Sequence, residues 1–185
     1  MQATRYYQPY FLEDRTGRLS GSEFVDIHER VRLAYRCTRR DARGTQYCIF
    51  ELSSPRDDAY TRPVIALEFG PNNELGTITF GGAYTGLDMY LPKVTPGGTT
   101  RHRTFTGQNG QRYKWSYRTH EDHEWTCVDN ADNVVAFYNL KIPGEPPYPN
   151  SSGCMLTVEE LYGDMSCEFL ATCLLMRHIV TYGIQ

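Results

Sequence analysis

From about residue 24 onward, apolar and polar residues alternate, the period-2 pattern of half-buried strands. In Val31-Arg32-Leu33-Ala34-Tyr35-Arg36-Cys37 the odd positions are apolar, and Arg30, Arg32, Arg36 and Arg40 fall on the opposite face. Similar runs predict strands over 45–52, 64–69, 76–80, 87–91, 101–105, 112–118, 124–128, 134–138 and 155–161. Turn chemistry separates them: Gly70-Pro71-Asn72-Asn73, Gly81-Gly82, Pro96-Gly97-Gly98, Asn109-Gly110 and Asn130-Ala131-Asp132-Asn133. Asn109-Gly110 between two strands favours a hairpin, because both residues tolerate positive φ. Residues 143–153 carry four prolines and no periodicity, and read as a loop.

One segment, 165–182, reads as a helix, with Asp164 as its N-cap and Gly183 where it stops. Phe169, Leu170, Leu174, Leu175, Ile179 and Val180, with Ala171, Cys173 and Met176 on other faces, make it apolar nearly all round. A helix without a polar face must be enclosed. Ten or more strands followed by such a helix predict a mostly β fold, an antiparallel barrel wrapped round a hydrophobic C-terminal helix.

A length of 185 residues fits a single domain spanning 1–185, with 1–30 as an N-terminal extension. Charged residues make up 22% and the net charge is −3, a balance that argues against disorder and against a general nucleic-acid binder. No apolar run reaches the roughly 20 residues of a membrane-spanning helix. The opening Met-Gln-Ala-Thr-Arg lacks the apolar core of a secretory signal, which predicts a cytoplasmic protein. The six cysteines, scattered without framework spacing, then read as reduced thiols.

Leu91-Pro92-Lys93, Arg103-Thr104-Phe105-Thr106-Gly107, Gly110-Gln111-Arg112-Tyr113-Lys114-Trp115 and Asn133-Val134-Val135-Ala136-Phe137-Tyr138 together resemble an uncharacterised family of mushroom-forming fungi. That family is grouped with tubby C-terminal-like folds, so the resemblance implies a tubby-like barrel around a central helix. It covers roughly 31–180, and the first thirty residues have no counterpart in it. Tubby-like relatives that bind phosphoinositides make lipid contact an implied activity, and pigment-binding chromoproteins of fruiting bodies are a further comparison. Fold alone does not fix function.

Four constellations carry candidate chemistry. Around the Asn109-Gly110 hairpin, alternation places Arg101 and Arg103, with Arg112, Lys114 and Arg118, on one face, a surface suited to an anionic headgroup. A second basic stretch, Arg30, Arg32, Arg36, Arg39, Arg40 and Arg43, is opposed only by Asp41. Tyr113, Trp115 and Tyr117 take the opposite face of the hairpin, as core or as an aromatic binding stripe. His120 and His123, in His-Glu-Asp-His-Glu near Cys127, are weak metal candidates, because the cluster lacks a second ligand pair. No metal is expected.

No nucleophile elbow, phosphate loop or dinucleotide fingerprint is present. With 14 tyrosines, 8 phenylalanines and 2 tryptophans, the reading is a non-enzymatic binding protein for a small apolar or aromatic ligand, a pigment being one case. The ligand would be non-covalent, held at a barrel mouth or between subunits of a homo-oligomer. A peripheral membrane or phosphoinositide-binding module is the first alternative, and a metal-dependent enzyme built on His120 and His123 the second.

Overall fold

The structure, a computed structural model, describes residues 8–52, 60 and 62–185. Its strands are β1 (Tyr10–Asp14), β2 (Gly21–Asp26), β3 (Arg32–Asp41), β4 (Gly44–Glu51), β5 (Ile65–Phe69), β6 (Leu75–Phe80) and β7 (Ala83–Gly86). After one helical turn, α1 (Leu87–Tyr90), come β8 (His102–Thr106), β9 (Arg112–Tyr117), β10 (Trp125–Val128), β11 (Val134–Asn139) and β12 (Cys154–Val158). A 3-10 turn (Glu160–Met165) leads into α2 (Ser166–Thr181).

The strands form one antiparallel sheet in the order β7-β6-β5-β4-β3-β2-β1-β12-β11-β10-β9-β8. Sequence neighbours pair with one another, and the two halves join where β1 meets β12, with Tyr10 opposite Val158 and Asp14 opposite Cys154. The N-terminal residues, outside the resemblance, therefore supply the central strand. The ladder ends at β7 and β8 without pairing them, so the sheet stays open where a closed barrel was expected.

The sheet nevertheless encloses the helix. Phe69 of β5 stacks on His178 at 3.8 Å, Phe105 of β8 meets Phe169 edge-on at 6.3 Å, and the Trp115 indole of β9 donates to Thr172 Oγ1 at 2.8 Å. Strands from both ends of the ladder touch α2, which requires the sheet to curl around it. Phe169, Ala171, Leu175 and Met176 are each 0% exposed, as the apolar helix demanded.

A buried ionic group ties the helix to the centre of the sheet. Asp14, 0% exposed, accepts from the Tyr138 hydroxyl at 2.8 Å and from the Gly17 amide at 2.9 Å. The Arg177 guanidinium lies 3.7 Å from the same carboxylate, over the Tyr138 ring at 4.5 Å, and donates to Gly17 O at 2.8 Å.

Several boundaries differ from those predicted. Residues 87–91 turn as a helix because Leu87 and Leu91, four apart, are both buried while Met89 is 77% exposed. Asp164 lies within the 3-10 turn and caps nothing; the residue before α2 is Met165, with no side-chain cap. The strand predicted over 155–161 ends at Val158. Gly183 does end α2: at φ +63° it lets Ile184 N–H reach Ile179 O at 3.0 Å and Gly183 N–H reach Val180 O, a Schellman closure. All six cysteines are free thiols, and among the described residues no helix is long and apolar enough to cross a membrane.

Candidate functional site

A cleft of about 730 Å³ opens where the β9–β10 and β11–β12 connections run side by side. The chain leaves β9 through Arg118, held at φ +48°, and re-enters the sheet at β10. The Asn139 side-chain amide donates to Asp122 O at 2.8 Å, and Glu124 N–H to Tyr138 O at 2.9 Å, so the two connections are clamped together. The β9–β10 connection contributes Arg118, His120, His123 and Glu124 to its lining; the end of β11 and the β11–β12 connection contribute Asn139, Lys141, Pro143 and the apolar Leu140 and Ile142, which are 42% and 64% exposed.

His120 and His123 stack with ring centroids 5.2 Å apart, and His123 lies flat on Phe137 at 3.9 Å. Both Nδ1 atoms face the Thr126 hydroxyl, at 3.1 Å from His123 and 3.4 Å from His120. Burial, with His120 beside it, holds the His123 imidazole below its ordinary pKa and so favours its neutral form. Burial raises the Glu124 carboxyl, although Arg177 lies 3.9 Å behind it. Arg118, which lines the cleft, packs its guanidinium on the Tyr117 ring at 5.1 Å, and Arg101 packs on the same ring at 4.9 Å.

The five hairpin cations do not share a face. Arg103 pairs in register with Trp115, points to the core side and is 3% exposed. It donates to Leu91 O at 2.9 Å, and burial lowers its pKa. Arg101 and Arg118 are taken up by Tyr117. Arg112 and Lys114 do remain outward, on a groove of about 230 Å³, but that groove also holds Asp129 and Asp132. Lys114 lies 3.6 Å from Asp132.

The other basic stretch is likewise opposed by more than Asp41. Glu23 receives both Arg32 and Arg36 at 2.7 Å, Asp26 takes Arg30 at 2.8 Å, and Glu68 takes Arg39 at 3.2 Å.

The aromatic stripe faces the helix. Trp115 is 0% and Tyr113 1% exposed, and both pack on α2, so neither reaches an external ligand; Tyr117 packs on Trp125 and under Arg118 and does not line the cleft. His120 and His123 do come together, but no group of three metal-ligating side chains surrounds them among the described residues. Cys127 is buried in the core, its thiol pushed well above its usual pKa by desolvation.

Thr126, Phe137, Leu140 and Ile142 were not singled out from the sequence. The available signal was the apolar alternation of Tyr138, Leu140 and Ile142, which runs past the end of β11 into a loop, where nothing buries it.

No curated protein and no solved structure matches the chain. The profile of one family matches residues 23–180, beginning inside β2 and ending within α2. By that match, which spans most of its length, the chain belongs to the family of unknown function DUF6593.

Proposed function

We propose that this chain is a non-enzymatic binding protein that holds a small, largely apolar or aromatic molecule in the cleft between the β9–β10 and β11–β12 connections. The observation that carries the reading is the cleft itself. Its volume of about 730 Å³ falls within the roughly 300–1,000 Å³ of small-molecule sites. Its lining is largely polar, but it includes the exposed apolar side chains of Leu140 and Ile142 beside Pro143, an apolar surface on which a ligand can rest. A pigment is the coloured case of such a ligand. The open sheet curled round a buried helix is consistent with a relationship to tubby-like domains.

The peripheral-membrane alternative has less support. Of its five cations one is buried, two pack on Tyr117, and Lys114 is partnered by an aspartate. For a metal-dependent hydrolase, the described residues offer no third ligand around His120 and His123.

A fluorescent apolar probe, 1-anilinonaphthalene-8-sulfonate, tests the cleft. Binding should saturate at one site and weaken at least tenfold in Ile142→Glu, a change at an exposed position that leaves the core intact. Equal binding to that variant would place the ligand elsewhere. Flotation with anionic vesicles, lost in Arg112→Glu/Lys114→Glu, would instead favour the membrane alternative.

A further inference from the structure

Thr126 lies between Trp125 and Cys127, both core residues, so its side chain points to the outer face of the sheet. It is nonetheless 1% exposed, beneath His120 and His123. Its hydroxyl has one proton to give, and the two imidazole Nδ1 atoms are its hydrogen-bond partners among the described residues. A buried hydroxyl proton left without an acceptor is costly, so it goes to one ring or the other.

The distances indicate which. At 3.1 Å, His123 Nδ1 is the closer acceptor, and its proton then sits on Nε2. With its proton given to His123, Thr126 Oγ1 is free to accept from His120 Nδ1–H at 3.4 Å, and Thr119 Oγ1 at 3.3 Å can share that N–H. That leaves His120 Nε2 as a bare lone pair. Neither Nε2 has a partner among the described residues, and both rings line the cleft.

We propose that the shared Thr126 hydroxyl locks His120 and His123 in opposite tautomers, so that the cleft presents one hydrogen-bond donor and one acceptor on neighbouring rings. This rests on the cleft reading above and gives its ligand a chemical class. The ligand is a flat, mostly apolar molecule whose polar edge carries an acceptor beside a donor, as in an aromatic lactam or carboxamide. The apolar body lies on Leu140 and Ile142, and the edge meets the imidazoles. A site built to pair both groups rejects an analogue that lacks them, because its own polar atoms are then left unpaired.

Side-chain NMR of the full chain with 15N-labelled histidine, recorded at about pH 8, above the ordinary histidine range, reads each tautomer without any ligand. The expected result is Nδ1–H for His120 and Nε2–H for His123, with the opposition lost in Thr126→Val. The same tautomer on both rings, or an opposition that survives Thr126→Val, would overturn the proposal. Two probes of similar size then test the ligand class. 2-Quinolone, which has an N–H and a C=O on adjacent ring positions, should bind at least tenfold more tightly than naphthalene, and Thr126→Val should erase the difference. Equal binding of the two at the cleft overturns the donor–acceptor assignment and leaves the cleft as a ligand site. Binding of neither overturns the cleft reading, and the ligand class with it.

Discussion

Glu168 enters the interior on the first turn of α2, 4% exposed, where it accepts from the Tyr90 hydroxyl and from the Gln108 amide at 3.0 Å. No cation pairs with it among the described residues, and burial raises its pKa above 4.5. A carboxyl with a raised folded-state pKa contributes stability that is complete below about pH 4.5 and is lost as pH rises through the folded value. Glu124 acts in the same direction. Denaturant midpoints measured from pH 4.5 to 8 should therefore carry a falling slope from these two carboxyls, set against the rise that the lowered pKa values of His123 and His178 contribute as pH passes through the histidine range. Glu168→Gln keeps a partner for both Tyr90 and Gln108 and should flatten part of that slope, whereas Glu168→Ala strands both donors and should cost about 1–3 kcal/mol at every pH. An unchanged slope in Glu168→Gln would refute the assignment. Arg103 shows how much of such detail the sequence already holds. Residues 103 and 105 share parity, so once Phe105 is placed inward the arginine must follow it; reading it as a surface cation gave charge type priority over alternation.

Strand existence was readable wherever one face is buried, because burial on one side imprints a period of two; this holds for β3 to β6 and for β8 to β12. It failed at α1, where Leu87 and Leu91 satisfy both a two-residue and a four-residue repeat, and only the exposed Met89 distinguishes them. It failed also for β7, whose four residues are all outside the core and so carry no pattern. β1 and β2 were treated as an extension because the first thirty residues have no counterpart in the resembled family. β1 also pairs far away in sequence, with Leu12 opposite Leu156 and Asp14 in contact with Tyr138 and Arg177. A chain lacking residues 1–20 should therefore fail to fold, losing the strand that joins the two halves and leaving Arg177 without Asp14. A deletion variant with native circular dichroism and a cooperative melt would contradict this placement. At the other hairpin, Gly44 is required for space: a Cβ there would lie 1.9 Å from Phe69 O, so Gly44→Ala should disturb the β3–β4 turn and its seat on β5.

Curling a twelve-stranded sheet around one helix leaves a single unpaired seam, between β7 and β8. The β8 side is partly covered, because Thr104 N–H reaches Pro92 O at 3.0 Å and Val94 N–H reaches His102 O at 3.1 Å. β7 has no such backbone partner among the described residues, and Tyr84 on it is 77% exposed. Amide exchange should accordingly be fastest in β7 and slowest in α2, β1 and β12, where opening requires the core to separate; uniform protection across the sheet would contradict the open seam. The candidate site lies away from that seam, on connections clamped by the Asn139–Asp122 bond, so a rigid frame supports a loop-built cleft. The sequence displayed the frame but not the cleft, because the site forms from residues that leave the alternating pattern: Leu140 and Ile142 beyond β11, and Thr126 buried beneath two loop histidines. The most direct measurement of the central claim is native mass spectrometry, with an absorption spectrum, on the protein purified from its natural source. A retained small molecule in constant ratio to the chain, coloured if it is a pigment, is the result predicted. A bare chain mass that acquires no added 2-quinolone would contradict a ligand-binding cleft.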